Sequence, residues 1–304
     1  MRGTVAGLLA AGLLVMTATT VLAQDSATAA GQSTGSGSTA APATAATQPA
    51  PDPPAPKPVT LTLGADLPTA YMFRGIFQED QGFIMQPFVD VGIAAAPGVT
   101  INAGLWNSFH SGPSGSDHEG GDRSAWYELD FYASATFQVG KVKPGVLYTS
   151  YTSPNDAFAT VQELAVVLAF DDSGNTVPLN PKAILAFELD GQADGGSNKG
   201  TYLELGVRPT FPLAPHDKYP LTLAIPAKMG LSLNDYYEGA NGSDTFGYFD
   251  LGGILSVPLA FMNGKTTWEI HGGLDVLWLG ENMKALNGGD GVKAVGTIGF
   301  SMIF

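Results

Sequence analysis

The sequence predicts an all-β protein: a transmembrane, antiparallel, up-and-down β-barrel of about twelve strands, spanning residues 59–304. Three observations carry this reading. Apolar and polar residues alternate with period two in run after run. Most runs are ten or more residues long, against about 5–6 for strands of soluble domains. The connections are unequal, long and acidic at one end and mostly short at the other.

From the N-terminus, "MRGTVAGLLAAGLLVMTATTVLAQ" has one basic residue, Arg2, then an apolar run and the small-residue site Val21-Leu22-Ala23. That is the make-up of a secretory signal peptide, expected over residues 1–23. The apolar run is too short to cross about 30 Å of hydrocarbon as a helix. Residues 24–58 are rich in Ala, Thr, Ser, Gly and Pro and end in "PAPDPPAPKP". Such a segment has too little apolar surface to fold, so a disordered linker is expected.

From Val59 the period becomes two. Runs fall near residues 59–74, 83–95, 98–108, 126–139, 142–152, 160–170, 182–190, 200–211, 219–233, 245–258, 266–279 and 292–304. In "TTWEIHGGLDVLWLG", Trp268, Ile270, Leu274, Val276 and Trp278 lie in one phase and Glu269, His271 and Asp275 in the other. In residues 126–139 the phases separate Tyr127, Leu129, Phe131 and Phe137 from Glu128, Asp130 and Thr136. A helix, repeating at 3.6, would not sort residues in this way. Strands of about 9–11 tilted residues are what a bilayer requires.

Connections alternate in kind. Residues 77–82, 110–124, 153–158, 191–198, 235–244 and 281–291 are polar, Gly-rich and often long, whereas 96–98, 140–141 and 262–264 are tight turns. Two connections on the short side, 171–181 and 212–220, are longer. Aromatic spacing agrees with a membrane belt: Trp268 and Trp278 are ten residues apart in one phase, as are Tyr127 and Phe137. On a tilted strand that is about 25 Å, the height of the lipid-facing band between aromatic girdles. The chain closes on "VGTIGFSMIF", with Gly296, Ile298, Phe300, Met302 and Phe304 in one phase. This resembles the final-strand signal that the barrel-assembly machinery reads, and that resemblance makes the machinery and outer-membrane lipid the expected partners.

Residues 69–109 carry Tyr71, Phe73, Arg74, Gly75, Ile76 and Gln78, then Gln86, then Gly104, Trp106 and Ser108. Glu128-Leu129-Asp130 and Glu163-Leu164 follow. These motifs resemble the TorF-type family of outer-membrane porins over about a third of the barrel. The resemblance implies a channel-like barrel. It leaves the substrate open, and the chain departs from the family in its Pro/Ala linker and in its longer fourth and eighth connections.

With the apolar phase assigned to lipid, the opposite phase lines the lumen. A charge facing lipid at mid-depth costs about 2–4 kcal/mol, so consistent placement of charges marks the inside. Candidate pore-lining residues are Arg74, Asp90, Glu128, Asp130, Glu204, Arg208, Glu269 and Asp275. Arg74 is the sharpest, with Asp90 or Asp130 as its expected partner. Glu163, Glu188, Asp250, Lys182 and Lys228 share the inward phase. An excess of carboxylates favours cations, so the expected role is passive diffusion of small polar solutes or ions, cation-leaning. The alternative is a side-chain-filled, non-conducting barrel with a structural, enzymatic or adhesive role.

Bulk composition excludes other classes. Only 14% of residues are charged, against a usual value of about 25%. A net charge of −14 argues against nucleic acid, and the absence of cysteine excludes disulfides and thiolate metal sites. An outer-membrane hydrolase needs a nucleophile beside a base. The histidines are His110, His118, His216 and His271, and "HSG" at 110–112 fits no known nucleophile motif. No cofactor or metal is expected. A soluble secreted β-sandwich would also alternate, with its apolar face inward, but its strands would be shorter.

Overall fold

Twelve strand positions close into an antiparallel barrel in the computed structural model, which describes residues 59–114, 125–214, 219–259 and 266–304. The expected signal peptide and linker (1–58), His118, His216 and most of the 110–124 connection lie outside the described residues.

The wall begins with β1 (Val59–Pro68), which pairs with β4 (Ile84–Ala96). The meander continues through β5 (Val99–His110), β6 (Trp126–Phe137), β7 (Val142–Thr152), β8 (Val161–Phe170) and β9 (Lys182–Asp190). Two wall positions are each broken by a proline. Pro209 separates β10 (Thr201–Val207) from β11 (Thr210–Ala214), and Pro226 separates β12 (Leu221–Ala224) from β13 (Ala227–Asn234). Proline brings no N–H to the ladder, so pairing lapses there. Its carbonyl still accepts: Ile225 N–H donates to Pro209 O (2.9 Å) and Gly252 N–H to Pro226 O (2.8 Å). The last wall strands are β16 (Phe246–Leu259), β17 (Thr267–Leu279) and β18 (Val292–Ile303). β18 closes the barrel on β1, from Thr62 opposite Ile303 to Pro68 opposite Thr297.

The phases fall as the alternation dictates. Ile298, Leu274, Phe300 and Phe304 are exposed on the outer surface, Ile298 at 66%. Asp66, Asp90, Glu128, Asp130, Glu163, Glu204 and Asp250 are buried inside. This is a soluble protein turned inside out, the arrangement a hydrocarbon solvent selects. Both ends of the described barrel lie at one rim, here the terminal end; the opposite rim is the loop end.

Three expectations are corrected. The run 59–74 is not one strand. β1 stops at Pro68, and residues 71–79 form a separate hairpin, β2 (Tyr71–Phe73) and β3 (Ile76–Glu79). Arg74 and Gly75 turn it, both with positive φ (45° and 84°), the conformation of a tight two-residue hairpin loop. Tyr71, Phe73, Ile76, Phe77, Gln78 and Glu79 are all buried. With both hairpin faces covered, the segment fills the lumen. Alternation cannot distinguish such a hairpin from a strand that simply continues.

The second correction concerns Tyr127. Register shifts between Ser108 and Phe109, so Phe109 faces Trp126 while Ser108 faces Glu128. This bulge turns Tyr127 inward, where its hydroxyl donates to Gln78 Oε1, and puts Trp126 on the outer surface. Trp126 stacks on Phe109 at 5.8 Å and, with Phe137, forms the aromatic pair of that strand. Third, the 281–291 connection, expected as loop, holds a short helix, α1 (Glu281–Leu286), with Met283 fully buried.

Candidate functional site

The loop half of the lumen is filled around the Arg74 guanidinium. Its Nη1 and Nη2 donate to Glu163 Oε1 (2.8 Å) and Oε2 (2.9 Å), a two-pronged fork. The expected partner was Asp90 or Asp130. The hairpin carries Arg74 across to β8 instead, 89 residues further along the chain. Arg74 also donates to the Tyr236 hydroxyl and lies over the Tyr202 ring at 4.1 Å. Glu163 accepts from Tyr151 (2.9 Å) and Tyr236 (3.2 Å), and the Arg74 carbonyl accepts from Tyr237 (3.0 Å). The pair is thus buried and largely satisfied.

The remaining predicted residues divide between two regions. Asp90 accepts from Asn102 Nδ2 (2.7 Å) and Tyr132 (3.0 Å). Glu128 accepts from Tyr71 (3.0 Å), and Asp130 is fully buried on the same face. None of these three borders the open part of the lumen. That part is a cavity of about 430 Å3 in the terminal half, roofed by Tyr71, Met72, Arg74 and Gly75. Glu204, Arg208, Glu269 and Asp275 stand in its wall. Glu204 accepts from Tyr202 (2.9 Å) and Tyr248 (3.0 Å) and so links the cavity to the packed half.

Sequence reading missed the tyrosines that make the packing, above all Tyr236 and Tyr237. They sit in the acidic, Gly-rich stretch 235–244, which reads as solvated loop. Two adjacent aromatics in such a stretch were the signal available. Space for their rings comes from small neighbours: a Cβ at Gly230 or Gly247 would collide with Tyr248 or Tyr237.

His110 of the "HSG" stretch sits in a buried relay with Ser108 and Ser114, whereas Ser111 Oγ accepts from Phe83 N–H (2.8 Å). His110 Nε2 lies 2.7 Å from Ser108 Oγ and His110 Nδ1 lies 2.6 Å from Ser114 Oγ. Ser108 is fully buried and does not border the cavity. Ser108 Oγ also accepts from Gln86 Nε2 (3.4 Å), which ties β5 to β4.

Outside the membrane-spanning strands, Asp194 clamps two loops. It accepts from Gly196 N–H (2.8 Å) and from Glu238 N–H (2.6 Å), the latter in β14 (Glu238–Gly239), which pairs with β15 (Gly242–Ser243). Burial pushes its carboxyl up to about 6, against the pull of those two amides. A raised carboxyl pKa favours the folded form at low pH, and that contribution is lost as pH rises through about 6. Acidification from pH 7.5 to 5 is therefore expected to tighten the clamp. Hydrogen-exchange protection of Gly196 and Glu238, corrected for intrinsic rate, should rise, and looser amides at pH 5 would contradict this.

Fold and site together define an outer-membrane-type β-barrel whose lumen is packed at one end and charged and open at the other. The chain belongs to the Gcw_chp family, described as bacterial proteins of unknown function, whose model matches residues 53–224. No curated protein matches it. Among solved structures, it is similar to the COG4313 outer membrane channel from Pseudomonas putida F1, at 11% identity, over 84% of this chain and 99% of that one, TM-score 0.46. It is similar to the NanC porin at 11% identity, over 80% and 98%, TM-score 0.45. LpxR from Salmonella typhimurium matches at 8% identity, over 80% and 99%, TM-score 0.42.

Proposed function

We propose that the protein is an outer-membrane channel for passive diffusion of small polar solutes or ions, gated by the β2–β3 hairpin. The supporting observation is the divided lumen. A packed lumen throughout would be a structural barrel, and an open one a constitutive pore. Here a single hairpin forms both the roof of the cavity and the floor of the packed half. In this reading residues 1–23 export the chain, 24–58 act as a spacer, and the loop end faces outward. The closing strand with Phe304 is read by the assembly machinery, and lipid covers the apolar belt. The cation lean is modest. Asp66, Asp171, Glu204, Asp250, Glu269 and Asp275 face Arg74, Lys143, Lys182, Arg208 and Lys228 in the cavity wall. The chemistry is passage rather than catalysis.

The filled, non-conducting reading is favoured by one observation, the fully buried loop half. Planar-bilayer recording separates the two. Wild-type protein should rest closed with brief openings, whereas a chain with residues 70–82 replaced by a short Gly-Ser turn should conduct persistently, with cations preferred. Silence of the shortened barrel would establish a structural role. Equal, steady conductance from both proteins would remove the hairpin as gate.

A further inference from the structure

The cavity wall is polarised around its circumference. Lys143 on β7, Lys182 on β9, Arg208 between β10 and β11, and Lys228 on β13 form a basic arc over neighbouring strands. Asp250 on β16, Glu269 and Asp275 on β17, and Asp66 on β1 form an acidic arc on the strands that follow β13, while β4 to β6 bring no charge to the wall.

Several of these charges are already engaged. Lys143 is 3.9 Å from Asp171, Lys228 is 3.4 Å from Asp250 at the seam, and His271 is 2.9 Å from Asp66. Glu204, which with Asp171 lies within the basic arc, is held by two tyrosines. Three groups are not engaged. Among the described residues, Arg208, Glu269 and Asp275 enter no ion pair within 4.0 Å, although Arg208 lies in the field of both carboxylates. Arg208 Nε is buried without a hydrogen-bond partner, and so is Asp250 Oδ1 on a residue only 8% exposed. Charge left unpaired beside a cavity costs free energy, and a ligand charge that pairs with it offsets that cost.

We propose that this cavity is a binding site for small zwitterions carrying a carboxylate and an ammonium group. The inference rests on the solute-channel reading and names its substrate class. The carboxylate takes the Arg208 guanidinium, whose planar fork matches two oxygens. The ammonium takes Glu269 and Asp275. A zwitterion satisfies both arcs at once, whereas an anion or a cation of the same size leaves one arc unanswered and meets repulsion from it. The volume, about 430 Å3, accommodates a molecule of amino-acid size with water around it.

The test is saturation-transfer NMR on the full folded chain in detergent, with three probes of matched size: L-alanine, propionate and isopropylamine. Alanine should bind at least tenfold more tightly than either single-charge probe. Arg208→Gln and the double variant Glu269→Gln/Asp275→Asn should each weaken alanine at least tenfold. Equal binding of the three probes, or no binding of alanine to wild type, would overturn the proposal. The probe comparison needs only wild-type protein, so a variant that fails to fold leaves the result intact. Binding is read without conduction. Binding by a barrel that stays silent after hairpin removal would sink the channel reading and leave the site. Conduction without alanine selectivity would do the reverse.

Discussion

Arg74→Met is expected to destabilise the barrel by about 3–5 kcal/mol and to raise its open probability severalfold. The substitution keeps most of the side-chain volume but removes the guanidinium that both Glu163 oxygens accept from. Glu163, buried at 2% exposure, would retain only the tyrosine donors Tyr151 and Tyr236 for a full negative charge. Unpaired charge in a low-dielectric interior is the costly term, not loss of the pair as such. The double variant Arg74→Met/Glu163→Leu should therefore recover most of the stability while the hairpin remains less firmly latched. Urea unfolding in lipid vesicles measures the first quantity and planar-bilayer recording the second. A single variant as stable as wild type would show that the tyrosine cage alone holds the hairpin. Arg74→Lys should fall between, because an ammonium can neither fork onto both oxygens nor stack flat on Tyr202.

A second large effect separates two neighbours in sequence. Ile298→Lys should cost about 2–4 kcal/mol in vesicles, while Thr297→Lys should cost little. Ile298 is the most exposed large apolar residue of β18, and Thr297 borders the cavity. The backbone, depth and strand are shared, so the difference isolates the solvent on each side of the wall. Lysine at 298 must leave its charge in hydrocarbon or thin the bilayer around it. Lysine at 297 enters a wet lumen lined by Asp66 and Glu269. Equal costs would mean that the outer surface meets water, and the membrane assignment would fall with it.

Legibility in the sequence followed the range of the interactions. Strand positions 83–95 and 266–279, and the closing run 292–304, were readable because side-chain direction alternates locally and lipid rewards every outward apolar residue. The inward placement of Glu269, Asp275 and Arg208 came from the same local rule. Arg74 stood out as the sharpest of the inward charges, yet its partner was misassigned. Choosing Glu163 over Asp90 depends on a hairpin folding into the lumen, and no period of two encodes that. The motif residues Tyr71, Gln78, Gln86, Trp106, Ser108 and Glu128 likewise look scattered along the chain, but they are buried together where that hairpin packs on the wall.

The sequence by itself determined the approximate number of wall strands and, apart from the start of β6, the face each presents to lipid. Those properties follow from residue-by-residue transfer between hydrocarbon and water, which needs no knowledge of distant contacts. Only the tertiary structure decided that the first long connection turns inward, that a bulge exchanges Tyr127 for Trp126 at the girdle, and that the lumen is half packed and half open. Each of these is a choice between alternatives of similar local energy. It is settled by contacts such as Arg74 with Glu163 that exist only once the wall has closed.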